Sequence, residues 1–164
     1  LMERLGSFRE MAVWVLGCRA QSAGSIKPGF GGKPAIRYSL DRADMQRIRA
    51  ALVLIGRMHF ASGARAVLPG IIGLPYSLGP DELHLLENAP LDMRAYIAIL
   101  SHLFGGCVMG QDPRDAVCDG SGKVHGRENL WVVDASLIPT NLGVNPQHTI
   151  MALARLFSRQ ILAL

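Results

Sequence analysis

Aromatic residues make up only 6% of this 164-residue chain and charged residues only 18%, and neither sign of charge gathers into a run. Seventeen Lys and Arg against thirteen Asp and Glu leave +4, but the basic residues are spread from Arg4 to Arg159. A nucleic-acid binder concentrates its charge on one stripe, often beside exposed aromatics, so that class is not indicated. Cys18, Cys107 and Cys118 are an odd number with no CxxC pair. They do not make a disulfide scaffold, and a reducing, cytoplasmic setting is the expectation. No apolar run approaches the roughly 20 residues of a membrane helix, and the first twenty residues lack a signal-peptide layout. The nucleophile motif G-x-S-x-G is missing, as is any internal repeat.

What is present is core material. Apolar residues reach 49%, enough for one ordinary domain or for a piece of something larger. The start on Leu1, with an apolar segment almost at once, reads as an excerpt. "MAVWVLGCRA" (11–20) reads as a strand and the Gly-, Ser- and Pro-rich stretch after it as a loop. "PAIRYSLD" (34–41) alternates as a half-buried strand does. From 42 to 62, Met45, Ile48, Leu52, Ile55 and Met58 or His59 recur at helical spacing, and Gly63 supplies a stop. Short helices are expected at 80–88 and 91–99, a buried strand at "LWVVDA" (130–135), and a closing helix in "NPQHTIMALARLFSRQIL", with Ile150, Leu153, Leu156 or Phe157 and Ile161 on one side. Strands and helices are interspersed without a βαβ rhythm. The fold class is therefore α+β, a mixed or antiparallel sheet packed with helices.

The chemistry-bearing residues are sparse. His102, Cys107, Cys118 and His125 are all possible zinc ligands, but the pairs enclose four and six residues and match no zinc knuckle. The cysteines read better as small buried apolar residues. "DGSGKVHG" (119–126) fits neither phosphate-loop pattern and precedes a strand where such a loop follows one, so it reads as a turn. His59, His84, His125 and His148 suit surface, packing or turn roles. His102 alone follows a helical pattern, precedes the pair Gly105–Gly106 and lies upstream of a second polar cluster, "GVNPQHT". On these grounds it is a catalytic base, a ligand or a satisfied core histidine.

"HLFGGCVMGQDPRDAVCD" and "KVHGRENLWVVDASLIPTNLGVNPQHTIMALA", in that order, closely resemble the C-terminal signature of the glucose-methanol-choline (GMC) oxidoreductases. The match runs over about 60 residues, far more than one short motif supplies by chance. Residues 1–100 resemble part of that family's substrate-binding domain, and 101–164 its C-terminal segment with active-site and flavin-contacting residues. The family's Rossmann-type G-x-G-x-x-G, which holds the ADP part of FAD, has no counterpart here.

The resemblance implies an FAD enzyme that oxidises an alcohol to a carbonyl. Its implied partners are a small alcohol and an N-terminal FAD-binding domain, with FAD held weakly or not at all by this portion alone and self-association of the portion a further expectation. It puts His102 at the family's first active-site position, as the base, and Asn145 at the second, which is His or Asn in the family. Asp134 and Ala135 match positions near the flavin's diphosphate and ribityl region. Asn145, Pro146 and Gln147 match the segment along its ring. One departure is visible: where the family often has a Thr after the first glycine, this chain has Gly106. Two other readings stand beside this one: a stand-alone binding module that keeps the signature for packing, and a small His/Cys metal protein.

Overall fold

The computed structural model describes residues 6–99 and 101–163. Among these residues the structure is α+β, with a two-stranded antiparallel sheet, β1 (Ser25–Pro28) and β2 (Pro34–Arg37), and the α-helices α1 (Arg42–Ala61), α2 (His84–Glu87) and α3 (Gln147–Leu162). The chain divides into two compact units that interleave along the sequence. The first takes the N-terminal segment up to Cys18 together with Arg42–Ile97. The second takes Arg19–Asp41 together with the chain from Ala98 onward. Residues 19–41 thus join the C-terminal segment, although the linear reading groups them with residues 1–100. Leu100, where that division falls, lies outside the described residues.

In the first unit the long helix forms as its periodicity predicts. It buries Met45, Val53 and Gly56 and ends where Gly63, at φ +91°, turns the chain and the Ala64 amide reaches back to the His59 carbonyl. Val53 packs with Ile71, Leu78, Leu86 and Ala89 into one core. Gly56 lets the Leu83 side chain close on the helix, since a Cβ there would lie 2.5 Å from Leu83 Cδ1. The short helix at 80–88 arrives as a 3-10 turn (Pro80–Glu82) followed by α2. The segment 91–99 keeps only one 3-10 turn, Met93–Ala95, capped by the Asp92 carboxylate.

Two predicted strands do not form. Residues 11–20 have the composition of a strand, but among the described residues no neighbour pairs with them. Composition cannot supply a ladder partner. Val13 and Val15 are exposed, and Trp14 instead lies against the His59 ring, with centroids 4.4 Å apart. Residues 130–135 are reduced to one bridge, Lys123 with Trp131. The cause is local: the Asp134 carboxylate caps a 3-10 turn at Ala135–Leu137 and stops extension there.

The second unit has its own core, Cys118, Leu137 and Phe157, with Cys107, Met109 and Leu153 packed against it. Gly122, at φ +80°, passes so close to Phe157 and the Val132 carbonyl that a Cβ would lie 2.7 Å from that oxygen. Phe157 anchors α3 here.

Candidate active site

Three local devices bring distant parts of the sequence to one place. Asp134 Oδ1 accepts from the Ser136 amide at 2.7 Å and from Ser136 Oγ at 2.5 Å, which shapes the turn that presents Ala135. Alongside that turn, the Cys107 amide donates to the Ser136 carbonyl and the Met109 amide to the Leu137 carbonyl, each at 3.0 Å. These bonds hold the end of the His102 loop, which reaches them through Gly105 at φ +77°. Finally Pro146, buried, opens α3 with its carbonyl accepting from the Ile150 amide at 2.9 Å. Proline suits the start of a helix because it has no amide to leave unpaired.

His102, Ala135, Asn145, Pro146 and Gln147 therefore line a single cavity of about 340 Å³, open to solvent, with Ser101, Leu103 and Ile150 completing its wall. Asp134 is not in the lining; its carboxylate is spent on Ser136. Sequence reading did not single out Ser101, Leu103 or Ile150. Adjacency to His102 was a signal for the first two, and the position of Ile150 one turn beyond Pro146 was a signal for the third.

Among the described residues the wall contains no Asp, Glu, Lys or Arg. Its polar groups are an imidazole, two amides and a hydroxyl, so it can exchange a proton at His102 and hold an oxygen at Asn145 without imposing a fixed charge. Pro146, at the N-cap of α3, has no side chain to cap the first turn, which leaves the amides and positive end of that helix toward the cavity. His102 and Asn145 are both exposed on it.

The other histidines and the cysteines are occupied otherwise. His125 Nε2 donates to the Gly110 carbonyl at 3.0 Å, and His84 Nδ1 donates to the Asp81 carbonyl at 2.8 Å. Cys107 leans on the second core, and Cys118 is fully buried within it. Burial pushes the Cys118 thiol above the usual cysteine range. Among the described residues no three His, Cys, Asp or Glu side chains come together as metal ligands.

His102 and Asn145 thus face one cavity at the start of α3 in an α+β chain. Residues 24–154 match the family model described as GMC oxidoreductase, and the chain belongs to that family. It is 40% identical over 137 residues to an uncharacterised GMC-type oxidoreductase of Sinorhizobium fredii, a match covering 83% of this chain and 27% of the relative. It is 33% identical over 132 residues to 6'''-hydroxyparomomycin C oxidase of Streptomyces lividus, covering 79% of this chain and 20% of that enzyme. Among solved structures, pyridoxine 4-oxidase from Mesorbium loti superposes with a TM-score of 0.58 at 28% identity, over 87% of this chain and 28% of that one. The chain thus spans about a quarter of the length of the proteins it matches. No helix among the described residues is long and apolar enough to cross a membrane.

Proposed function

We propose that this chain supplies the proton-accepting wall of an FAD-dependent oxidoreductase that converts an alcohol CH–OH to a carbonyl. The observation that supports the reading is the meeting of His102, Ala135, Asn145, Pro146 and Gln147, from three separate stretches of sequence, around one cavity. The donor set fits the ring end of a flavin: an uncapped helix start, two amides and an apolar floor. It does not extend to the ADP end, for which the chain has no Gly-rich strand-to-helix turn. Asn145, Pro146 and Gln147 would hold the ring end, with Ala135 toward the ribityl region. FAD, when bound, supplies the acceptor for the hydride that leaves the alcohol carbon. The partner in this reading is the N-terminal FAD-binding portion of a GMC-type enzyme.

His102 takes the hydroxyl proton. An alcohol does not ionise near neutral pH, whereas imidazole, with a reference pKa of about 6.5, accepts protons there. Asn145 holds the same oxygen through its amide, orienting the carbon without titrating itself. Leu103 and Ile150 give the cavity apolar surface against which the carbon skeleton packs.

The test uses a chimaera in which this chain replaces the matching region of the Sinorhizobium relative. Flavin bleaching by a panel of alcohols is followed by rapid mixing. His102→Ala should retain FAD and slow bleaching by about 10²- to 10⁴-fold, in kcat and kcat/KM together. Asn145→Ala should slow it too, with the histidine's pH dependence intact, and Asn145→His should be tolerated better. Bleaching at an undiminished rate in His102→Ala would remove His102 from the chemistry.

A further inference from the structure

Asn145 faces the cavity with no hydrogen bond to steer its side chain among the described residues. Its direction is therefore set by the backbone on either side. On the C-terminal side Pro146 keeps Asn145 out of the helical region, as proline does to the residue before it. On the N-terminal side the chain turns at Gly143, at φ +73°, where the Gly143 amide donates to Asn141 Oδ1 at 2.8 Å. That turn stands in the open, with Gly143 exposed and Val144 at 67% exposure.

What lies on the turn is Arg19. A Cβ built on Gly143 would be 3.0 Å from Arg19 Cδ and 3.6 Å from both its Cβ and its Cγ. Three carbons of one side chain thus run along the glycine, in the space that a larger residue would need. Arg19 is the first residue of the segment that joins the second unit, so the contact ties the start of that segment to the loop before α3. Arg19 is exposed, and among the described residues no carboxylate pairs with it. The contact is made by the stem, which in arginine can cover a surface while the charged head keeps its water. The positive φ and the missing Cβ at 143 serve the same contact, since a side chain there would strain the turn and push Arg19 off it.

We infer that Arg19 is a positioning residue for Asn145. Its methylene stem clamps the Gly143 turn, the turn fixes the angle at which the chain enters Pro146, and that angle sets where the Asn145 amide lies in the cavity. The charge of Arg19 has no part in it. This rests on the reading above, in which Asn145 holds the reacting oxygen, and it adds a residue that lies outside the cavity wall. A displacement of about 1 Å in an orienting group can slow a reaction by about 10²-fold, so loss of the stem should register in the rate.

The test uses the same Sinorhizobium chimaera, with flavin bleaching by alcohol and amide hydrogen exchange of the peptide spanning 141–145 measured on each variant. Arg19→Ala removes Cγ and Cδ, whereas Arg19→Met keeps an unbranched stem without the charge. Arg19→Ala should retain FAD and slow bleaching by about 10- to 10²-fold, with the histidine's pH dependence unchanged. It should also speed exchange in 143–145 by at least about fivefold, as a loosened turn does. Arg19→Met should match the parent in both measurements. In an Asn145→Ala background, Arg19→Ala should slow bleaching by less than about twofold further, because a residue that acts through Asn145 has nothing left to position. Slowing in Arg19→Met equal to that in Arg19→Ala would make the charge the active feature and overturn the inference. Unchanged exchange in Arg19→Ala overturns it too, as does the same slowing with and without Asn145, the mark of a general loss of structure. Where Asn145→Ala is itself slow, undiminished bleaching in Arg19→Ala has the same force. Parental bleaching in Asn145→Ala, together with faster exchange in Arg19→Ala, leaves Arg19 as the clamp of the loop and removes the functional reading.

Discussion

The two adjacent glycines after His102 should respond oppositely to the same substitution. Gly105 sits at φ +77°, in the left-handed region, while Gly106 has no positive φ. A Cβ at Gly105 would meet nothing closer than the Pro139 carbonyl oxygen at 3.6 Å, and one at Gly106 nothing closer than Ser136 Cβ at 3.4 Å. Neither site is blocked by a clash, so backbone conformation decides. Gly→Ala at either position restricts the unfolded chain and so favours folding by about 0.4–1 kcal/mol. That contribution is common to both variants and cancels in the comparison. What remains is the cost of holding alanine in the left-handed region at 105, about 1–2 kcal/mol. For a chain of this size each kcal/mol moves Tm by about 2–4 °C. Gly106→Ala should therefore melt about 2–8 °C above Gly105→Ala and slightly above the parent. In a Trp14→Phe background Trp131 is the remaining tryptophan of the two, and its fluorescence reports melting of the second unit. Equal melting temperatures for the two variants, or a higher one for Gly105→Ala, would refute the reasoning.

Two further outcomes follow from the second unit. Cys118, fully buried and with its thiol pushed up by burial, should resist iodoacetamide at pH 8 until the unit unfolds, while the partly exposed Cys18 and Cys107 are modified first; early loss of the Cys118 peptide's free thiol would contradict this packing. Asp119 Oδ1 accepts from Ser121 Oγ at 2.6 Å and from the amides of Ser121 and Lys123, and the Ser121 hydroxyl foremost holds its carboxyl below the usual range. A folded-state pKa depressed below the unfolded value of about 3.9 contributes stability above that pH and loses it as pH falls through the folded value. The urea midpoint of the parent should accordingly drop more steeply below about pH 4 than that of Asp119→Asn, which carries no charge to lose, and parallel curves would exclude Asp119 as a source of the acid response.

Elements whose cause lies within a few residues were legible in the sequence. The long helix needed only its periodic Met45–Val53 face and the stop at Gly63, and the structure forms both. The strands expected at 11–20 and 130–135 needed a partner, and partnership is a property of the tertiary arrangement that β-rich composition cannot encode. Valines and a tryptophan at 13–15 were equally compatible with an exposed segment holding Trp14 on His59. The hairpin lay between these cases: its second strand was visible in the alternation at 34–41, while its pairing with 25–28 was not.

The same distinction explains why a cavity assembled from residues 43 positions apart could be anticipated at all. His102 and Asn145 are not brought together by a long-range pattern that a reader of periodicity could detect. Each is delivered by a short device that is spelled locally: the Gly105 turn, the Asp134 cap on Ser136, and the proline that opens α3. A motif of consecutive residues can specify a turn, a cap or a helix start, because those structures close within four residues. The two backbone bonds from Cys107 and Met109 to Ser136 and Leu137 then bring the devices into register. The identity of a substrate is different in kind. The wall formed by Leu103 and Ile150 is apolar and uncharged, which suits a neutral carbon skeleton but offers no directional group to tell one such skeleton from another. Discrimination of that sort requires a polar partner whose loss leaves a buried group unpaired, and beside His102 and Asn145 the described wall residues offer Gln147 and Ser101 for it.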